Sequence, residues 1–189
     1  LIEIAKDSTH VMELASAAFL NSDVTLADQA LASADAINEK ALSLDESVIR
    51  ILARQSPVSR DLRILVSALR ISASLERMGA LAGHIAQIAR FRYPGSAVPS
   101  ALVDTFKEMG ELDLKLGNKV IKLLENTDLD LAKEIQAADG RVDELHRKVF
   151  DVVLGDDWKE NAMFTVDVTL ASRYHERFAD HVEIGRAHV

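Results

Sequence analysis

Leu75-Glu76-Arg77-Met78-Gly79-Ala80 returns one hundred residues later as His175-Glu176-Arg177-Phe178-Ala179-Asp180, and each copy lies inside a long helical pattern. Upstream, Phe19-Leu20-Asn21-Ser22-Asp23-Val24-Thr25-Leu26-Ala27 is echoed by Leu123-Leu124-Glu125-Asn126-Thr127-Asp128-Leu129-Asp130-Leu131-Ala132. Recurrence of a turn and a later acidic helix in the same order marks two copies of one supersecondary unit. Two copies make a tandem pair and not a solenoid.

The rest of the chain reads as helix. Ile4, Val11, Leu14 and Ala18 form one apolar stripe, and Asn21-Ser22-Asp23 supplies a turn and cap. A second helix is expected from about Thr25 to Arg54, stopped by Gln55-Ser56-Pro57 because the residue before a proline is driven out of helical geometry. A third runs from near Val58 to about Phe91. Tyr93-Pro94-Gly95-Ser96-Ala97-Val98-Pro99 is the one conspicuous linker. Beyond it, helices are expected over about Ser100 to Glu125, Leu129 to Leu154 and from about Asn161 onward, with a break at Gly155-Asp156-Asp157. Short connections make neighbours antiparallel, so the prediction is all-α: two antiparallel three-helix bundles, residues 1–94 and 99–189.

Composition removes several classes. Apolar residues make up 48%, yet no run approaches the roughly 18 uninterrupted apolar residues of a membrane span. A soluble protein is expected, and no signal-peptide pattern opens the sequence. Without cysteine there are neither disulfides nor thiolate metal sites, which suits a reducing cytosol. A net charge of −8 disfavours a nucleic-acid surface, since neutralising phosphates requires clustered lysine and arginine. No glycine-rich phosphate loop and no serine or cysteine nucleophile arrangement can be read, so no enzyme is expected. Both ends read as incomplete: residue 1 starts in mid-pattern without an initiating methionine. The tail from Glu183 to Val189 is expected to abandon the helical stripe at Gly185, as foreign sequence does.

The carboxylates carry the chemistry. Residues four apart share a helix face about 6 Å apart along the axis, so Glu176 and Asp180 point one way and Asp139 and Asp143 do the same on the preceding helix. If those helices face each other, four acids converge. At about 5 Å and an effective dielectric near 20, each like-charged pair repels by about 3 kcal/mol. Such a group wants a cation, shared protons or neighbouring arginines. Oxygen donors of this kind suit Mg²⁺, Ca²⁺, Mn²⁺ or iron; the plainer reading pairs the acids with Arg141 and Arg177 on a solvated face. His84, His175 and His181 lie near these motifs as further ligands or as ordinary helix histidines. Arg60, Arg63, Arg70 and Arg77 form a basic strip that meets an acidic partner or phosphate, or balances the bundle's own acids. Trp158, Phe164 and Tyr174 are read as core or hinge packing.

The run Gln55-Ser56-Pro57-Val58-Ser59-Arg60-Asp61-Leu62-Arg63, leading into Leu75-Glu76-Arg77-Met78-Gly79, resembles the signature of the PhoU family of phosphate-signalling regulators. Glu176-Arg177-Phe178-Ala179-Asp180 resembles its second half. Val166-Asp167-Val168-Thr169-Leu170 and Asp143-Glu144-Leu145-His146-Arg147 look like actinobacterial members. The resemblance implies twin three-helix bundles and multinuclear metal clusters held by Glu/Asp-x-x-x-Asp motifs. It also implies a cytoplasmic, non-catalytic negative regulator, a homodimer in peripheral association with membrane complexes. Its implied partners are the ATPase subunit of the phosphate ABC transporter and a phosphate-sensing histidine kinase. Carried over, the metal residues are Asp139, Asp143, Glu176 and Asp180, with Glu76 a weaker fifth. In the first repeat Ala80 stands opposite Asp180, and Ala34 and Asn38 stand opposite Asp139 and Asp143, so metal is expected mainly in the second bundle. The rival reading is a carboxylate-bridged metal-binding or storage bundle of the ferritin kind. Such sites use Glu-x-x-His, and the chain contains none.

Overall fold

The computed structural model describes residues 1–126 and 129–186, and their side chains except those of 129, 130, 132, 133, 136–139 and 184–186. Six α-helices appear among the described residues: α1 (Ile2–Asn21), α2 (Val24–Gln55), α3 (Ser59–Arg92), α4 (Val103–Asn126), α5 (Leu129–Val153) and α6 (Ala162–Arg186). A 3₁₀ turn, Ser100–Leu102, precedes α4. No described residue lies in a strand, and no described helix is long and apolar enough to cross a membrane.

Local chemistry sets the boundaries. Ser22 takes a left-handed conformation at φ 55°, and the Asp23 N–H turns back to the Ala18 carbonyl at 3.1 Å. The Asp23 carboxylate then accepts from the Leu26 N–H at 3.0 Å, so one turn closes α1 and opens α2. Ser56, also left-handed at φ 45°, ends α2 just before Pro57. Asn161 repeats the capping device for α6, its side-chain oxygen 3.0 Å from the Phe164 N–H. The Trp158 indole N–H donates to Thr165 Oγ1 at 2.9 Å, tying the α5–α6 turn to the first turn of α6. The α6 backbone stays helical through Gly185 to Arg186, since a single glycine costs only about 1 kcal/mol of helix propensity. Residues 187–189 lie outside the described residues.

Helices α1, α2 and α3 all pack on one another, as do α4, α5 and α6. The two halves meet through equivalent elements, α1 against α4 and α3 against α6. Both pairs run antiparallel: Ser16 abuts Gly110 and Thr9 abuts Gly117 in one, while Arg92 reaches Asp167 and His84 reaches Tyr174 in the other. The duplication therefore folds about an approximate twofold axis perpendicular to the helices. Buried side chains from both halves form one continuous core, with Phe19 of α1 edge-on to Phe106 of α4 at 5.1 Å.

The α1–α4 seam is close because two glycines, one heptad apart, leave room for hydroxyl side chains. A Cβ on Gly117 would lie 2.5 Å from Thr9 Oγ1, and Thr9 is held in place by its own bond to the Ala5 carbonyl at 2.8 Å. Gly117→Ala is therefore expected to overpack this seam at a cost of about 1–3 kcal/mol. In a chain of this size that lowers Tm by several degrees, roughly 2–4 °C per kcal/mol. Thermal melting followed by circular dichroism checks this, and an unchanged midpoint would show that the seam yields freely.

Candidate functional site

The acids of the second half sit where α5 meets α6. Glu176 lies in this seam with 14% of its side chain exposed, and burial pushes its carboxyl above the ordinary range, with the Asp180 and Asp143 charges adding to the rise. Those three carboxylates thus lie within electrostatic reach of one another. Arginines answer them from the same helix: Arg173 Nη1 reaches both oxygens of Glu176 at 2.5 and 2.6 Å, and Arg177 stands 3.9 Å from Asp180. Arg141 does not join them. It bonds Glu108 across the α4–α5 seam at 2.7 Å and Glu144 at 2.9 Å. The side chain of Asp139 lies outside the described residues, and among those described no three histidine, aspartate or glutamate side chains gather closely enough to hold an ion.

The equivalent place in the first half is a shallow cavity of about 370 Å³ lined by Ala34, Asp35, Asn38, Glu76, Ala80 and His84 among others. Alanine at 34 and 80 leaves open space where its counterpart carries charge. Glu76 is joined there by Asp35, which the alignment of the repeats passed over.

The histidines sit in different settings. His175 turns into the core and meets Asp113 of α4, Nδ1 to Oδ2 at 2.6 Å, with 1% and 0% of the two side chains exposed. Burial pushes the Asp113 carboxyl up from 3.8 to about 6, against the pull of His175. His84 stacks on Tyr174 with ring centroids 5.1 Å apart. His181 has both ring nitrogens buried without a hydrogen-bond partner, and burial together with Arg177 and Arg77 pulls its pKa down. His146, which sequence reading did not single out, meets Ser172 Oγ at 2.8 Å; since Ser172 donates to the Thr169 carbonyl at 3.0 Å, it accepts from the imidazole. Arg92 forks onto the buried Asp167, one of its bonds measuring 3.1 Å.

Fold and site together define a duplicated all-α bundle with acidic side chains on the α5–α6 faces of its second repeat. Comparison with known proteins makes this specific. The PhoU domain matches residues 1–89 and 106–184, and the chain belongs to that family. It is 42% identical over 176 residues to the phosphate-specific transport system accessory protein PhoU homolog 2 of Mycobacterium tuberculosis, covering 93% of this chain and 83% of that one. Homolog 1 of Mycobacterium leprae is 40% identical over the same share of this chain and 79% of its own. In fold, the chain superposes on the crystal structure of PhoU from Pseudomonas aeruginosa with a TM-score of 0.88, at 24% identity, covering 98% of this chain and 90% of that one. The PhoU structure from Streptococcus pneumoniae gives 0.86 at 19% identity, covering 99% and 88%.

The Asp113–His175 pair yields a pH-dependent prediction. With its folded pKa raised to about 6 from 3.8, Asp113 holds its proton more tightly in the folded chain than in the unfolded one. Its contribution is fully present below the unfolded value and is lost as pH rises through the folded one. The stability of the wild type relative to Asp113→Asn, which keeps the shape without the charge, is expected to fall as pH rises across that interval. Urea unfolding at a series of pH values checks it, and a constant difference would refute it.

Proposed function

We propose that this protein is a non-catalytic negative regulator of phosphate uptake and phosphate-starvation signalling. It acts in the cytoplasm, as a homodimer, as an adaptor between the ATPase subunit of a phosphate ABC transporter and its sensor histidine kinase. The observation that carries this is 42% identity along 93% of the chain to a protein named as an accessory of the phosphate-specific transport system. Regulation of this kind needs no bond made or broken. A scaffold that prefers the inactive state of its partner by about 1.4 kcal/mol reduces the active population about tenfold. Two repeats offer two equivalent sets of helix faces for that purpose, and the sequence differences between them allow each set its own partner.

The same reading assigns a hard divalent cation to Asp139, Asp143, Glu176 and Asp180, with Glu76 a weaker candidate. Support comes from the donor chemistry and from Glu176, whose carboxyl is pushed up first by burial and then by the Asp180 and Asp143 charges, against the pull of Arg173. Bound there, a cation supplies positive charge that relieves the repulsion between these carboxylates. The residues' own part is to exchange Arg173 for the ion at Glu176.

Two measurements test these readings. In a mycobacterial host stripped of its PhoU homologues, starvation genes and phosphate uptake are expected to run high in phosphate-rich medium and to be restrained when this chain is expressed; unrestrained uptake would count against the regulator. For the cation, Mn²⁺ or Fe²⁺ at about 100 times its Kd should stabilise the wild type by about 2.7 kcal/mol in thermal melts. The double variant Glu176→Gln, Asp180→Asn should lose that shift, and two equal sites in titration would contradict a site confined to the second repeat.

A further inference from the structure

Helices α3 and α6 lie side by side and antiparallel, and their outward faces form one strip with two unlike ends. On α6, Met163, Val166, Leu170, Arg173 and Arg177 recur every three or four residues and all are exposed. The first three are aliphatic, 44, 55 and 41% exposed, and Phe91 of α3, 69% exposed, stands at their level because its neighbour Arg92 is bonded to Asp167. At the other end Arg77 of α3 approaches Arg177 closely enough that both act on His181. Arg77 is exposed and makes no ion pair among the described residues, unlike Arg90, Arg92, Arg141, Arg173 and Arg177. Between these ends the exposed His84 of α3 meets Tyr174 of α6, ring centroids 5.1 Å apart.

We propose that this strip is the docking face for an amphipathic helix of a partner protein, with an apolar stripe at one end and carboxylates at the other. The assignment rests on the adaptor reading and names the surface it uses. From Met163 to Arg177 the strip spans about 21 Å at 1.5 Å per residue, the length of a helix of about four turns. Apolar side chains spaced i, i+3 and i+7 settle between two antiparallel helices, as in other helix-in-groove complexes. Acids one or two turns further on meet Arg77 and the outer guanidinium edges. An anionic bilayer fits less well. Asp156, Asp157 and Glu160 outnumber Lys159 in the stretch before Met163, so the apolar end is bordered on balance by the same sign of charge as such a membrane.

The test uses the purified transporter ATPase subunit and the cytoplasmic part of the sensor kinase from the same organism, with affinities measured by calorimetry. Val166→Asp with Leu170→Asp spoils the apolar end, and Arg77→Glu spoils the cationic end. All three positions are exposed, so melting temperatures should match the wild type; Leu170→Ser alone serves if the double variant melts early. Both variants are expected to weaken binding of the same one partner at least tenfold and to leave the other partner within twofold. Wild-type affinity in both variants, loss of different partners by the two, or binding to phosphatidylglycerol vesicles that the variants abolish while protein binding stays intact would each overturn the docking face. A wild type that binds neither protein overturns the adaptor reading itself, and this assignment with it.

Discussion

The close antiparallel contact of α1 with α4 is the constraint from which the rest of the molecule follows. Two three-helix units joined by a linker are free to swing unless something fuses them, since domain interfaces within a chain are by default mobile. Here Gly110 and Gly117 let the α4 backbone come down onto Ser16 and Thr9. With that approach fixed, Phe19 and Phe106 meet across the seam, the apolar interiors merge, and α3 is laid along α6. Packed interiors do not deform gradually. Relative positions on the α3–α6 face are therefore set by contacts on the opposite side of the molecule.

Duplication gave both repeats the same backbone, and the side chains have since diverged in charge. Around Glu176 the second repeat keeps two further acids close enough to push its carboxyl up, and it spends Arg173 and Arg177 on holding them. Alanine at positions 34 and 80 removes the repulsion from the first repeat, and Arg77, the counterpart of Arg177, makes no ion pair among the described residues. An arginine freed of its internal partner becomes available to an external one.

Helix order and boundaries were legible because each rests on local chemistry: Pro57 after Ser56, Asp23 and Asn161 as caps, the linker of prolines and glycine. The pairing of repeats was legible from the recurring Glu-Arg. Side-chain direction across helices was not. Periodicity places His175 and Glu176 only 100° apart on one helix, and nothing in α6 alone says which of the two faces the core. The signal lay in α4, where Asp113 interrupts the buried series Phe106, Met109, Leu116 and Val120 and so announces a buried polar partner on another element. Arg141 was open to misreading for the same reason. Its own helix offers Glu144, but the partner that pulls hardest, Glu108, belongs to the neighbouring helix.

Helix α6 does three things at once, and its rotation about its own axis decides all of them. Toward the core it presents His175 to Asp113; toward α5 it presents Glu176 to Asp143; toward solvent it presents Leu170, Arg173 and Arg177. With 3.6 residues per turn, these directions cannot be set independently. A purely apolar core would tolerate some slippage, since dispersion contacts have little directional preference. A 2.6 Å hydrogen bond between two fully buried groups tolerates almost none, because breaking it leaves a carboxylate and an imidazole without water or a partner. The Asp113–His175 pair is costly to bury, and burying it fixes the angle at which the acid cluster meets α5 and the outer strip faces away.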